Sequence, residues 1–338
     1  MFKQKGYRFR FMELAIAGNT SLAHFCAEKL CRDGYNISKV IIPEQVEHES
    51  YDVVDFVNLA GEFDIELINI SASKEHENSI QTDLLICLEW PNNIPLSVKV
   101  NTAKVGCNLA GQFEGEYLID IAAYIYNGNK QGEVQLLLED AAVDSQGSDI
   151  VNYEPPFFAV LDFAEFEINQ LDDLRSVKTK AASRYYRLLK KLIKKLNKNG
   201  LLPRKLNREM MFKRVKAERI VDWNRGAMYL HNLVRTCTHP GSGVYTWLDD
   251  KKLIIWRGHF FDLSDNYYES IAPGTIVDVV EELGVIVKTS HGSFLISRIR
   301  PIGSPELPAW VWASQEHILP GEAFQVYNES KIEVDMRR

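Results

Sequence analysis

The sequence predicts an α/β protein in which a mostly parallel sheet is followed by a small antiparallel β-barrel domain. Short apolar strands alternate with helical patterns up to about residue 90, and this alternation favours a parallel sheet with helices on its faces. After residue 241 the chain consists of short, evenly spaced β-rich runs between turn residues. Such runs are typical of a small antiparallel barrel or sandwich.

The first half provides the strand and helix signals in order. The apolar run 11–17 meets Gly18-Asn19-Thr20-Ser21, and apolar residues then recur at helical spacing until Asp33-Gly34. Gly18 lacks the Gly-x-Gly-x-x-Gly spacing of dinucleotide sites, so we interpret it as a turn glycine. The remaining predicted elements are strands at 40–42, 65–70 and 84–88 and a helix at 51–59.

Length and composition indicate a folded protein with two domains. The chain has 338 residues, of which 46% are hydrophobic and 25% charged, both average values. We predict an N-terminal domain over 1–205, a connector packing on it over 206–245, and the barrel domain over 246–338. The apolar runs of the whole chain are shorter than the roughly 18 residues of a membrane span. Five cysteines at irregular spacing favour reduced thiols, a cytoplasmic location and no metal site.

Positive charge is concentrated in one segment. Residues 175–219 hold 17 Lys and Arg against two Glu, whereas the rest of the chain holds 22 basic and 44 acidic residues. Three interpretations stay open: a solvated helix face with a basic connector, binding of tRNA or another polyanion, or docking onto a second acidic copy.

Several C-terminal motifs resemble a known family. Residues 220–224 (IVDWN), 231–235 (HNLVR), 238–246 (THPGSGVYT) and 252–256 (KLIIW) are similar to a stretch of methionyl-tRNA formyltransferases and sugar N-formyltransferases. The motifs PGTIV and LPGEAF nearer the C-terminus resemble the start and end of the barrel in the methionyl-tRNA enzymes. The resemblance implies a Rossmann-like formyltransferase domain followed by an OB-like barrel.

The same resemblance implies a cofactor and its binding residues. Residues 84–95 (LLICLEWPNNIP) look like the strand and loop that hold the pterin of 10-formyltetrahydrofolate. Residues 143–150 (VDSQGSDI) resemble the family's Asp-x-Gly-Asp-Ile signature with one insertion, which puts Asp144 at the catalytic aspartate. The implied cofactor-binding residues are Leu88, Glu89, Trp90, Ile94, Asp140 and Val143.

The catalytic motif departs from the family pattern. Formyl transfer to an amine needs a hydrogen-bond donor for the oxyanion and a titratable group for the proton. The family supplies these as Asn-x-His, with an Asp that orients the His. Here residues 105–115 read VGCNLAGQFEG. If Asn108 is aligned with the family Asn, Ala110 takes the position of the His. If the spacing to Asn127 is kept instead, Gly106 takes the position of the Asn and Asn108 that of the His. The histidine is absent from both alignments, and the predicted catalytic residues are Asp144 and Asn108.

Two functions follow from these motifs. The first is transfer of formyl from 10-formyltetrahydrofolate to a primary amine, carried by an aminoacyl-tRNA or a nucleotide-linked amino sugar. The alternative is a catalytically degenerate, formyltransferase-like protein that binds folate, nucleotide, RNA or a protein partner, since losing acid–base help costs about 10²–10⁴ in rate. His24 and His239 are candidate surrogates for the histidine, and Arg235 is a candidate anion ligand or salt-bridge residue.

Overall fold

The computed structural model describes most of the chain, in two compact units. It covers residues 12–43, 52–71, 80–90, 96, 98–107, 113–114, 117–139, 158–200, 202–208, 211, 214–216, 219–261 and 270–325. The first unit is Met1–Gly111, Gln131–Glu167 and Lys178–Phe212; the second is Gln112–Lys130, Ile168–Val177 and Lys213–Arg338. The boundaries expected at 205 and 245 stay a prediction.

Sixteen strands and six helices form the described secondary structure. The strands are β1 Leu14–Ala17, β2 Ile37–Pro43, β3 Glu66–Ile70, β4 Gln81–Cys87, β5 Lys99–Cys107, β6 Phe113–Glu114, β7 Tyr117–Ile119, β8 Gln131–Glu139, β9 Phe158–Glu167, β10 Arg214–Lys216, β11 Val244–Leu248, β12 Lys251–Phe261, β13 Ile276–Val280, β14 Gly284–Lys288, β15 Ser293–Pro301 and β16 Leu307–Pro308. The helices are α1 Ser21–Arg32, α2 Val57–Phe63, α3 Ile121–Tyr126, α4 Leu174–Asn199, α5 Ala227–Cys237 and α6 Ala309–Gln315.

The first unit is built on a seven-stranded sheet in the order β3-β2-β1-β4-β5-β8-β9. Strands β1 to β5 are parallel, while β8 and β9 are antiparallel to their neighbours. The predicted, mostly parallel α/β sheet is therefore confirmed. The chain runs from β1 outward to β3 and then returns to β4 on the other side of β1. This reversal is the place where open α/β sheets bind ligands, beyond the carboxyl ends of the strands.

One predicted helix is displaced. The helix expected over 51–59 is α2, Val57–Phe63. Asp55 Oδ1 accepts the Val57 N–H at 2.8 Å, and Val53 instead forms a β-bridge with Thr20, so the segment before α2 is held as a turn.

The second unit is a small antiparallel domain, as predicted. Its main sheet has the order β11-β12-β15-β14-β13, with β16 beside β15, and a smaller sheet has the order β10-β7-β6. Trp223 is fully buried, stacks on Phe324 with ring centroids 5.3 Å apart, and donates to Thr246 at 3.1 Å. In the described part of the chain, no helix is both long and apolar enough to cross a membrane.

Candidate functional site

The main chains of β1 and β4 meet at their carboxyl ends. Leu88 N donates to Ala17 O at 2.9 Å, and Gly18 N donates to Ile41 O at 2.9 Å. Gly18 has φ 141°, and a Cβ on it would lie 2.2 Å from Leu88 O. The interpretation of Gly18 as a turn glycine is confirmed, because no larger residue fits this contact without moving the main chain.

Three of the predicted cofactor-binding residues lie at this edge. The Leu88 side chain is fully buried, and Trp90 is half-buried against the apolar face that includes Ala17 and Leu85. Glu89 has φ 52°, in the left-handed region, and its side chain is 4% exposed. The other predicted site residues lie outside the described part of the chain: Ile94, Asn108, Asp140, Val143 and Asp144.

Glu89 belongs to a buried ion cluster that the sequence analysis missed. The cluster consists of Glu89, Asp52 and Lys178. Lys178 Nζ is 3.3 Å from Glu89 Oε1 and also contacts Asp52 Oδ2 directly. The Ser21 hydroxyl donates to the same Asp52 oxygen at 3.1 Å. Glu89 Oε2 is buried and has no hydrogen-bond partner among the described residues. The cluster therefore joins α4, α1 and the carboxyl end of β4.

Burial and the neighbouring charges both shift the pKa values of Glu89 and Lys178. It raises the pKa of Glu89 above the ordinary value for a carboxyl group, and the repulsion of Asp52 adds to this, while Lys178 and the Thr20 hydroxyl act in the opposite direction. Burial alone would lower the pKa of Lys178, but the two carboxyl groups outweigh it and raise that pKa. Lys178 is thus held as an ammonium ion, while Glu89 takes up a proton more readily than an exposed glutamate.

A sequence signal for this cluster exists in α4. The buried positions of α4 recur at helical spacing and, apart from Lys178, are apolar or aromatic. They are Leu174, Val177, Lys178, Ala181, Ala182, Tyr185, Leu188, Leu189, Leu192, Ile193 and Leu196. A lysine in the apolar register of a helix requires a buried acidic partner. Because Lys178 is also one of the 17 basic residues of 175–219, the high charge of that segment hides this signal.

The other singled-out residues have structural contacts. The His24 ring packs edge-on against Phe56, with centroids 5.1 Å apart. His239 stacks on Trp256 at 3.8 Å and lies 3.0 Å from a Glu306 carboxylate oxygen. These contacts support a packing role for His24 and a pairing role at the surface for His239.

The Arg235 side chain binds main-chain carbonyl groups. Its guanidinium donates to the carbonyl oxygens of Asn169 at 2.8 Å and Asp172 at 3.0 Å, and to Asn232 Oδ1 at 3.0 Å. Arg235 therefore fixes the 169–172 segment, and its expected role as an anion ligand or salt-bridge residue stays a prediction. Among the described residues, no group of three or more His, Cys, Asp or Glu side chains is arranged to hold a metal ion.

Comparison with known proteins identifies a family domain in the C-terminal part of the chain. Residues 213–317 match the family described as formyl transferase, C-terminal domain. The methionyl-tRNA formyltransferase of Citrifermentans bemidjiense is 24% identical over 264 residues, which cover 75% of this chain and 75% of that protein. Residues 213–317 thus carry a formyl transferase C-terminal domain, and a longer part of the chain is similar to methionyl-tRNA formyltransferase. The motifs that carried the resemblance at residues 220–256 lie inside the matched domain.

Solved structures agree with this formyltransferase fold. HypX from Aquifex aeolicus in complex with tetrahydrofolic acid superposes with a TM-score of 0.57 at 14% identity, covering 94% of this chain. This chain spans about half of HypX, 51% of its length. The sugar 3N-formyl transferase WlaRD, in the presence of dTDP and 5-N-formyl-THF, gives a TM-score of 0.51 at 13% identity over 88% of this chain and all of its own. At such low sequence identity, these superpositions show a shared fold and nothing about activity.

Proposed function

We propose that the protein binds 10-formyltetrahydrofolate at the carboxyl edge of its first sheet and transfers the formyl group to a primary amine. The observation that carries this proposal is the placement of Leu88, Glu89 and Trp90 beyond β4, at the reversal point between β1 and β4. The half-buried indole of Trp90 suits a flat pterin ring, since aromatic rings stack favourably. The acceptor amine is carried by an aminoacyl-tRNA or a nucleotide-linked amino sugar.

The proposed chemistry divides among few groups. The acceptor nitrogen forms a bond to the formyl carbon, the bond from that carbon to N10 of the folate breaks, and the proton lost by the amine passes to N10. Asn108 would donate a hydrogen bond to the developing oxyanion, and Asp144 would orient or relay the proton. The sequence has no His at the family's Asn-x-His position, so turnover without a surrogate base is expected to be slow, by about 10²–10⁴.

Replacing Trp90 with alanine is expected to weaken folate binding about tenfold or more, because the ring that stacks on the pterin is removed. Isothermal titration of the full chain with tetrahydrofolate and 5-formyltetrahydrofolate measures this. Trp247→Ala is the matched control, since Trp247 is a half-buried tryptophan on β11 in the second unit. Its affinity should equal that of the wild type.

The titration also separates the two candidate functions. Folate binding together with formylation of an amine supports the enzyme. Folate binding without turnover, measured as release of tetrahydrofolate over a panel of amines, supports the degenerate binding protein; the missing histidine favours this alternative. Absence of folate binding to the wild type would sink both folate functions.

For the basic stretch we propose a polyanion contact at the C-terminal part of α4. Several cations of the stretch are used internally: Lys178 in the buried ion cluster, Lys190 with Asp33, and Lys191 with Asp162 at 2.6 Å. In contrast, three lysines near the end of α4 are exposed and form no ion pair with a described residue: Lys194, Lys195 and Lys198. An RNA acceptor would therefore meet unpaired charge here.

The triple substitution of Lys194, Lys195 and Lys198 with glutamine is expected to weaken tRNA binding and to reduce the slope of log K against log salt by about 2–3, one contact per lysine. Filter binding between 50 and 200 mM salt measures both quantities. Lys190→Gln with Lys191→Gln, on the same helix but already paired, should change the slope less. Equal slopes for the triple variant and the wild type would contradict an RNA contact on α4.

A further inference from the structure

Strand β9 forms one edge of the seven-stranded sheet. It is the last strand in the order, and β8 pairs with one of its two sides. Ile168 N donates to Lys130 O at 2.8 Å, so every second residue before Ile168 directs its main-chain groups toward β8. The main-chain groups of the residues between, Phe163, Glu165 and Glu167, therefore point away from the sheet.

The main-chain groups along this edge are only partly used. Leu206 N donates to Val160 O at 2.8 Å, and Lys180 Nζ donates to Glu167 O at 3.3 Å. Between these two contacts, the N–H and C=O groups of Glu165 have no hydrogen-bond partner among the described residues. Such a row of unpaired groups is a template on which another strand can add.

Helix α4 lies along β9 and runs in the opposite direction. Lys180, near the start of α4, contacts the Glu167 carbonyl at the end of β9, whereas Lys191, further along α4, lies 2.6 Å from Asp162 Oδ2. The helix is therefore on the face of β9 to which Asp162 points. Glu165 and Glu167 are an odd number of residues from Asp162, so their side chains point to the other face.

A groove of about 660 Å³ separates α4 from this edge. Arg184 and Arg187 line it from α4, where they are three residues apart on one face of the helix. Arg184 is half-buried and Arg187 is exposed, and neither forms an ion pair with a described residue. Glu165 and Glu167, both exposed, also line the groove. The unpaired edge thus has two cations on one side and two carboxylates on the other.

We propose that the edge of β9 binds an extended polypeptide segment as an added strand. The side chains of a strand alternate between two faces, so one set would meet Arg184 and Arg187 and the other set Glu165 and Glu167. Opposite charges on neighbouring strands stabilise their pairing. The partner is therefore a segment of about five residues in which acidic and basic side chains alternate, since residues 163–167 span roughly 14 Å at about 3.4 Å per residue.

The charges argue against a second copy of the chain as this partner. Antiparallel pairing of two β9 edges, centred on the unpaired groups of Glu165, puts the Glu165 carboxylates of the two copies opposite each other. Like charges directly opposite each other are destabilising. The same carboxylates repel the phosphates of a nucleic acid. The inference is independent of folate binding, because it uses only α4 and β9.

The probe for this edge is a capped peptide of three Lys-Glu repeats, titrated calorimetrically into the full chain. The wild type is expected to bind it, and to bind at least tenfold more weakly a peptide with three lysines followed by three glutamates. Arg184→Gln with Arg187→Gln should weaken binding of the probe about tenfold, the loss of two ion pairs at a partly exposed site. Lys194→Gln with Lys195→Gln, on the same helix outside the groove, should leave it unchanged.

Two N-methylated probes test whether main-chain groups form the contact. Alternate N–H groups of a strand point to the same side, so methylating either all lysines or all glutamates of the peptide blocks one of its two edges. One methylated peptide should bind like the probe and the other at least tenfold more weakly. The Glu165 amide should also gain protection from hydrogen exchange, measured by NMR, when the probe binds.

Three outcomes would overturn the inference. The first is equal binding of both methylated peptides or unchanged exchange at Glu165, because strand pairing would then be absent. The second is no binding of the probe to the wild type, in which case the charges only protect the edge from pairing. The third is self-association of the wild type that the probe competes away in sedimentation, which would assign the edge to a second copy. Unchanged near-ultraviolet circular dichroism of the arginine variant excludes misfolding as the cause of weaker binding.

Discussion

Replacing Lys178 with methionine is expected to lower the free energy of unfolding by about 3–5 kcal/mol at pH 7, because the change leaves Asp52 and Glu89 buried without a cation. The lysine is 8% exposed, and the side chains of both partners are about as buried. Urea denaturation followed by tryptophan fluorescence measures the change. Lys191→Met is the matched control, since Lys191 is on the same helix and pairs with Asp162, yet its side chain is 74% exposed. The control should lose little stability.

The loss should depend on pH with a defined sign. The folded-state pKa of Glu89 is raised, so this residue favours folding below its ordinary pKa of 4.5, and that contribution disappears as pH rises through the folded value. The folded-state pKa of Lys178 is also raised, so its contribution is complete below 10.5 and disappears at more alkaline pH. The Lys178→Met defect should therefore shrink as the pH is lowered toward 4, where the Glu89 carboxylate, whose pKa is raised, takes up a proton.

A second substitution tests the cause. Glu89→Gln added to Lys178→Met removes one of the two buried negative charges and should restore part of the lost stability. A defect that is independent of pH and unaffected by Glu89→Gln would show that Lys178 acts through packing alone.

Local patterns predicted the fold better than they predicted this cluster. The β-rich runs predicted after residue 241 are confirmed, for example by β11, β14 and β15 at residues 244–248, 284–288 and 293–301. Each run alternates buried and exposed side chains or ends at a turn, so neighbouring residues define it. Asp52 and Lys178 are 126 positions apart, and Glu89 and Lys178 are 89 apart. No periodicity within a window of 18 residues identifies such a pair.

In the candidate site, too, local features were predictable and long-range contacts were not. The motif at residues 84–95 correctly predicted the end of a buried strand, since apolar runs that meet polar residues carry that signal locally. It gave no information about where the Glu89 side chain points, because that direction depends on the left-handed main chain at residue 89 and on Lys178 of α4. Glu89 was grouped with the folate residues by its position in the motif, whereas its carboxylate lies in the buried ion cluster.

Gly18→Ala is expected to lower the free energy of unfolding by about 3 kcal/mol or more and to weaken folate binding. The added Cβ would lie 2.2 Å from Leu88 O and 3.3 Å from Ala23 Cβ, and φ of 141° is unfavourable for any L side chain. Relief of the clash must separate the carboxyl ends of β1 and β4, where Leu88 N donates to Ala17 O. Urea denaturation and titration with tetrahydrofolate measure the two effects on one preparation.

Gly34→Ala separates steric contact from main-chain strain. Gly34 follows α1 with φ 81°, and a Cβ there would meet no atom within 4 Å. Its replacement should therefore cost only the left-handed conformation, about 1 kcal/mol, and leave tetrahydrofolate binding unchanged. If Gly18→Ala and Gly34→Ala lose the same stability, the contact with Leu88 O contributes nothing and glycine is needed at residue 18 for its main-chain angle alone. A larger loss for Gly18→Ala with weaker binding would tie the close approach of β1 and β4 to the folate site.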